Sequence, residues 1–275
     1  MSLRVGHISY LNCVPFFADL RRQGFDGEII SGVPARLNAM LASGEIDLCP
    51  SSSFEYGRAA RDYLLLPGQS ISSLGAVRSV LLFSRRPLDK LGEEAIAVTG
   101  ESATSINLLK VLLRHYYGCE RVDCFVPEVP VEQVVATGGD ALLIGDRALK
   151  MARETGGGCF YDLGELWWRK TGLPFVFALW IVRRQAVREH ANEVLHFGRQ
   201  LAAARNHALA DLEALARRAD CPDWFDQTSL VDYWRRMSFD LTDRHLEGLQ
   251  LYFDLCLRYG LLPEKVRPEF VDLPG

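Results

Sequence analysis

The chain has 275 residues and is 48% hydrophobic, 10% aromatic and 24% charged. That composition excludes a disordered tail protein, a collagen-like repeat and a disulfide miniprotein, and it leaves enough chain to bury a sizeable core split in two around a cleft. The net charge is −4, from 31 Lys and Arg against 35 Asp and Glu, with no block of five like charges, so no nucleic-acid-binding face is expected.

In chain order, Arg4–Tyr10 reads as a short strand and Asn12–Leu20 as the start of a helix, with Pro15 tolerated in its first turn. Glu28–Ser31 is a second strand. Gly32-Val33-Pro34 leads into a helix over Ala35–Ser43, with Leu37, Met40 and Leu41 on one face and Gly44 as its stop. Ile46–Cys49 is a third strand, ended by Pro50. Ser51-Ser52-Ser53 supplies N-cap chemistry for a helix over Phe54–Arg61, and Tyr63–Leu66 and Val77–Ser84 are further strands. After Arg85-Arg86-Pro87 a second unit begins with a strand at Ala95–Val98. Ser102-Ala103-Thr104-Ser105 opens a helix along which Ile106, Leu109, Leu113 and Tyr116 recur, and Gly118 stops it. Strands follow at Cys124–Val126, Ala141–Ile144 and Cys159–Leu163, with a helix over Arg147–Thr155 and the apolar stretch Pro174–Val182. From about Gln185 the pattern is helical.

Strand–helix alternation predicts parallel sheets covered by helices, an α/β fold. The expected lobes are residues 1–84 with 180–275, and residues 85–179. The crossovers are expected near Leu82–Pro87 and Phe175–Arg183, with a helical tail returning to the first lobe.

The seven cysteines, from Cys13 to Cys256, contain no C-x-x-C pair, so packed reduced thiols are expected rather than zinc or disulfides. No spacing implies a metal or cofactor, and neither a P-loop nor G-x-G-x-x-G is present. The start lacks a signal-like pattern, and the longest strongly apolar run is far shorter than the roughly 20 residues of a membrane span. A soluble cytoplasmic protein is expected.

In open α/β sheets ligands sit beyond the carboxyl ends of strands, near helix N-termini. Four turns qualify: Ser9–Cys13, Pro50–Ser53, Gly100–Ser105 and Gly145–Arg147. Ser51–Ser53 and Ser102–Ser105 share small hydroxyl residues at a helix start, which suits anion binding and equally suits plain capping. One such turn per lobe would clamp a small dianion. Asn12 lies just past the first strand, where its amide orients a substrate or caps the helix starting at Cys13. His7 is a conceivable general base, but its mid-strand place favours a core histidine. Asp146 is at once a natural N-cap and a candidate substrate-binding residue. Asp47 and Glu55 form a conceivable acid–base pair that an exposed loop and helix turn explain as well. Trp167, Trp168 and Trp180 read as core.

Taken together, an ordered set of segments resembles one family. They are Val5–Pro15, Gly44–Leu48, Ser52–Tyr56, Ser70–Ser73 with Gly75, Val77, Ser79 and Val80, then Ala103-Thr104-Ser105, Ala141–Asp146, Tyr161–Glu165 and Thr171–Ala178. The set is similar to the chorismate dehydratases of the futalosine route to menaquinone, over roughly residues 4–182. The resemblance implies a two-lobed type II periplasmic-binding-protein fold with a helical C-terminal segment, used as an enzyme without cofactor. It implies loss of water from chorismate, a dianion, to give 3-[(1-carboxyvinyl)oxy]benzoate. It places Asn12 at the reacting ring with Ser79 beside it, gives the carboxylates to Ser52, Ser53, Thr104 and Ser105, and suggests the substrate's own enolpyruvyl carboxylate as base. Two other readings stand beside it. The sister 1,4-dihydroxy-6-naphthoate synthase usually opens with a Ser-Pro-Cys-Pro-Asn-type turn and uses a histidine base, whereas this chain has Tyr10–Pro15. A solute-binding protein for a small anion would share the fold. Oligomeric state is left open.

Overall fold

The computed structural model describes residues 2–92 and 94–272. Among these, the strands in chain order are β1 (Arg4–Ile8), β2 (Glu28–Gly32), β3 (Leu48–Ser52), β4 (Tyr63–Ser73), β5 (Val80–Phe83) and β6 (Ile96–Val98). They continue with β7 (Cys124–Phe125), β8 (Ala141–Ile144), β9 (Phe160–Asp162), β10 (Phe175–Arg183) and β11 (Met237–Leu241). One sheet runs β11-β4-β10-β3-β1-β2 and the other β7-β6-β8-β5-β9.

The sheets are mixed rather than parallel. β1 lies parallel to β2 and β3, and β6 parallel to β7 and β8. β10 is antiparallel to β3 and β4, β11 to β4, and β5 to β8 and β9. Parallel neighbours need a helical crossover within one sheet. β5 and β10 are the first strands after a change of sheet, so no such crossover winds them onto a parallel neighbour. The chain changes sheet between Ser73 and Val80 and again between Asp162 and Phe175. Both changes come earlier than the expected boundaries at 84/85 and 179/180, the second of which cuts through β10. A strand buried in either sheet carries the same apolar signature, so its sheet cannot be read from pattern.

Pro50 does not end the third strand, which continues through it to Ser52. The registered pairing of β3 with β1 stops at Leu48, so the missing proline N–H two residues on breaks no ladder there. The predicted helix over Asn12–Leu20 is a 3-10 turn, Leu11–Cys13, followed by one short helix, Val14–Phe17. The helix over Pro34–Ser43 stops at Gly44, whose φ of +83° is the left-handed conformation glycine tolerates best.

The C-terminal region holds helices Arg184–Glu189, Ala191–Ala210, Leu212–Arg218, Gln227–Arg236 and Asp243–Arg258, but β11 interrupts them. Its Met-Ser-Phe-Asp-Leu sequence buries alternate residues, a period of two inside an otherwise helical stretch. Phe197 packs against Trp180 and Tyr252 packs edge-on against Phe175, both on β10, which seats two of these helices on the larger sheet. Tyr252 also meets Trp167 of helix Leu163–Thr171, which spans the second change of sheet. The fully buried Asp19 takes two 2.7 Å hydrogen bonds from Arg218 and one 3.0 Å contact from His207. The Arg218 guanidinium first, then His207, holds its carboxyl down at about 2 against the opposing effect of burial. No helix among the described residues is long and apolar enough to cross a membrane.

Candidate active site

A cavity of about 70 Å³ lies where the carboxyl ends of β1, β3 and β8 meet the middle of β10. Asn12, Ser52, Ser79, Ser102 and Ser105 supply polar groups, and Ile8, Ile71, Val77, Ile144, Phe177 and Met237 supply apolar wall. Both sheets contribute, as expected of a ligand site between two lobes. Tyr10 closes part of the rim.

Asn12 sits in the 3-10 turn after β1. Its Oδ1 is buried and has no hydrogen-bond partner among the described residues. It caps nothing, because neither the 3-10 turn nor the helix at Val14 has a side-chain cap. A buried acceptor without a partner costs about 1–3 kcal/mol, so its natural complement is a donor on a ligand. The turn itself is held from three sides. Tyr10 Oη donates to Glu101 at 2.9 Å, Leu11 N–H donates to Asp146 at 3.2 Å, and Leu11 carbonyl accepts from Trp234 Nε1 at 2.8 Å. Glu101 is in turn bound by Arg147, which also grips Glu132 through two 2.7 Å bonds.

Ser79 stands at the end of the first link between the sheets. Asp162 fixes that link: its carboxylate accepts from the N–H groups of Val77 and Arg78, and also from Gly164 and Glu165 at the start of helix Leu163–Thr171. Burial raises the Asp162 carboxyl, and the four amides oppose that rise. Arg78 has a φ of +62°, a strained conformation for a residue with a side chain, immediately before Ser79. The Ser79 hydroxyl receives a 2.9 Å bond from Tyr233 Oη.

The two serine-rich turns divide their roles. Ser52 caps helix Ser53–Arg58 by accepting from Glu55 N–H, and Ser102 caps helix Ala103–Tyr116 by accepting from Ser105 N–H. Ser52, Ser102 and Ser105 face the cavity. Ser53 and Thr104 do not line it. They meet at 3.3 Å, Ser53 donates to Val176 carbonyl at 2.8 Å, and Thr104 Oγ1 accepts from Phe54 N–H at 2.9 Å. The first turn of helix Ser53–Arg58 is thus satisfied by protein hydroxyls at Phe54 and Glu55. In the other helix, the Ala103 and Thr104 amide hydrogens find no protein acceptor among the described residues.

Asp146 is not the N-cap of its helix, which begins at Gly145. Gly145 N–H donates to Ser79 carbonyl at 2.7 Å, and a Cβ there would stand 3.2 Å from the Tyr10 ring at a φ of +59°. Glycine lets the helix start one residue early, which swings Asp146 inward to accept from Leu11. Burial pushes the Asp146 carboxyl up to about 6, opposed by that one amide. Asp146 does not line the cavity; it holds Leu11, the residue before Asn12. Asp47 and Glu55 form no acid–base pair, being claimed by Arg4 and Arg58 respectively. His7 rests half-buried against Phe17, with burial lowering its pKa. Among the described residues no three His, Cys, Asp or Glu side chains gather as metal ligands would.

Ile71, Phe177 and Met237 join the site without having been singled out in the sequence for it, whereas Tyr10 and Ser102 lie in two of the turns expected to hold ligand. Ile71 lies outside the expected strands and Phe177 in the apolar stretch Pro174–Val182, both within segments of the family resemblance but given no site role there, and Met237 falls in the stretch taken as helix. Tyr233 and Trp234 carry an ordinary amphipathic signal on helix Gln227–Arg236.

Two α/β lobes with a cavity between them define the periplasmic-binding-protein fold. The structure is similar to a Candida albicans protein described as having that generic fold, at a TM-score of 0.69 and 12% identity, covering 100% of this chain and 99% of the other. It is also similar to the periplasmic aliphatic sulphonate binding protein of Escherichia coli, at a TM-score of 0.62 and 15% identity, covering 99% and 94%. Residues 3–258 match the family model for menaquinone biosynthesis. A chorismate dehydratase of Thermus thermophilus is 37% identical over 224 residues, 73% of this chain and 80% of that protein. The chain belongs to the menaquinone biosynthesis family, and it is an enzyme.

Proposed function

We propose that the chain is a hydro-lyase that converts chorismate to 3-[(1-carboxyvinyl)oxy]benzoate and water, the first step of futalosine-dependent menaquinone biosynthesis. One observation carries this reading beyond family membership: among the described residues the cavity wall includes no carboxylate, imidazole or amine, yet it holds the unpartnered Asn12 acceptor and the Ser79 hydroxyl. A reaction run there needs its proton acceptor from the substrate. Chorismate brings one, and its dehydration forms an aromatic ring, so the driving force is built in.

In this mechanism Asn12 Oδ1 accepts from the ring C4 hydroxyl and holds the C4–O bond in line for departure. The enolpyruvyl carboxylate removes the C3 proton. That bonding pair becomes the C3–C4 double bond as the C4–O bond breaks, and the proton passes to the departing hydroxide to make water. Ser79 donates to the leaving oxygen, where negative charge develops. Ser52, Ser105 and the open amides of Ala103 and Thr104 receive a carboxylate; Ser53, Thr104's hydroxyl and Asp146 support the walls from behind. The lobes that go with this reading follow the sheets, residues 2–79 with 175–272 and residues 80–162, joined by the links around Arg78 and helix Leu163–Thr171.

Incubation with chorismate, followed by ultraviolet spectra and mass spectrometry, tests the proposal. The expected result is a product lighter by one water with a benzoate spectrum. Chorismate bound tightly but recovered unchanged would instead make the chain a receptor.

A further inference from the structure

Helix Gln227–Arg236 lies outside the cavity wall, yet it sends two consecutive side chains to the two groups on which the proposed chemistry depends. Tyr233 and Trp234 are each 1% exposed. Neighbours on a helix point about 100° apart, so the pair spans two anchor points at once. Tyr233 Oη donates to Ser79 Oγ at 2.9 Å, and Trp234 Nε1 donates to Leu11 carbonyl at 2.8 Å, one residue before Asn12.

We propose that Tyr233 and Trp234 are positioning residues of the dehydration: Tyr233 orients the Ser79 hydroxyl as a donor into the cavity, and Trp234 sets the turn that presents Asn12. This rests on the reading of Ser79 and Asn12 given above. A serine hydroxyl has one hydrogen and two lone pairs. With Tyr233 donating to one lone pair, the Ser79 hydrogen must point elsewhere. Its one protein acceptor found among the described residues is Val77 carbonyl at 3.5 Å, the outer limit of a hydrogen bond. An oxygen on a bound ligand is the better acceptor, and receiving a bond polarises the hydroxyl that gives one. Indole N–H is a donor only, so Trp234 acts by geometry alone. Leu11 is then held through both backbone groups, its N–H by Asp146 and its carbonyl by Trp234.

The test is a double-mutant cycle on the full chain with chorismate as substrate. Tyr233→Phe keeps the ring and loses only the hydroxyl, and kcat is expected to fall about tenfold with KM changed less than about twofold. In a Ser79→Ala background the same substitution should cause no further fall, a coupling that loss of packing would not produce. Trp234→Phe, whose smaller ring also loosens the core, is read the same way against Asn12→Ala, with melting temperatures recorded for all variants. Tyr233→Phe turning over like the parent, or falling equally in both backgrounds, overturns the proposal while leaving the assigned activity intact. A parent chain that leaves chorismate unchanged overturns both.

Discussion

Ser52-Ser53 and Thr104-Ser105 are matched pairs, one at the head of a helix in each lobe, and in each pair the two hydroxyls face opposite ways. Ser52 and Ser105 look into the cavity; Ser53 and Thr104 look at each other across the seam that joins the lobes. Adjacent residues at a helix start diverge by roughly 100°, so a turn rich in hydroxyls can serve ligand and scaffold together. The seam explains why helix Ser53–Arg58 leaves few amides open, since Thr104 takes the Phe54 N–H. In the helix of the other lobe the first two amides find no protein acceptor among the described residues, so on the proposed reading that helix takes the greater share of the substrate carboxylate.

That contrast can be broken by substitution. The largest effect is expected where chemistry and cavity meet: Asn12→Ala should lower kcat by about a hundredfold with little change in KM, because Asn12 acts by holding the C4–O bond in line for departure rather than by adding binding energy. Steady-state kinetics with chorismate decide it, and a loss confined to KM would reduce Asn12 to a binding group. Next, Thr104→Val removes the acceptor of a buried amide and should destabilise the chain by about 1–3 kcal/mol in urea unfolding, with kcat of the folded fraction retained. Turnover lost with stability intact would move Thr104 from seam to cavity. Ser105→Ala should raise KM several-fold, about 1 kcal/mol, and leave kcat near its parent value.

The smallest effect concerns Asp146. Its folded pKa of about 6 lies above the ordinary 3.8 because of burial, so on raising the pH the unfolded chain gives up this proton first. Stability therefore falls through this group between about pH 4 and pH 6 and stays lower above that window. Asp146→Asn keeps an acceptor for Leu11 and should be more stable than the parent at pH 8 by on the order of 1 kcal/mol, once partial exposure is discounted, with no gain at pH 4. Asp19 has the opposite sign: held down by Arg218, it contributes stability that is lost as pH falls from about 4 towards 2. Paired melts of the Asp146 and Asp19 asparagine variants across this range should slope in opposite directions.

The sequence by itself determined the local chemistry: most of the strands, Gly44 as a helix stop, Ser52 and Ser102 as caps, and the ordered motifs that carry the family. These are legible because backbone propensity, capping and apolar period act over a few residues. It also pointed to Asn12, Ser52, Ser79 and Ser105, all of which reach the cavity. Tertiary structure alone decided which neighbouring hydroxyl faces inward, which sheet β5 and β10 join, and what holds Asn12 and Ser79. The contacts of Tyr10 with Glu101, Leu11 with Asp146 and Ser79 with Tyr233 span 91, 135 and 154 positions of chain. Hydrogen bonds between such distant residues exist only once both lobes have folded and met, and no periodicity along the chain encodes them.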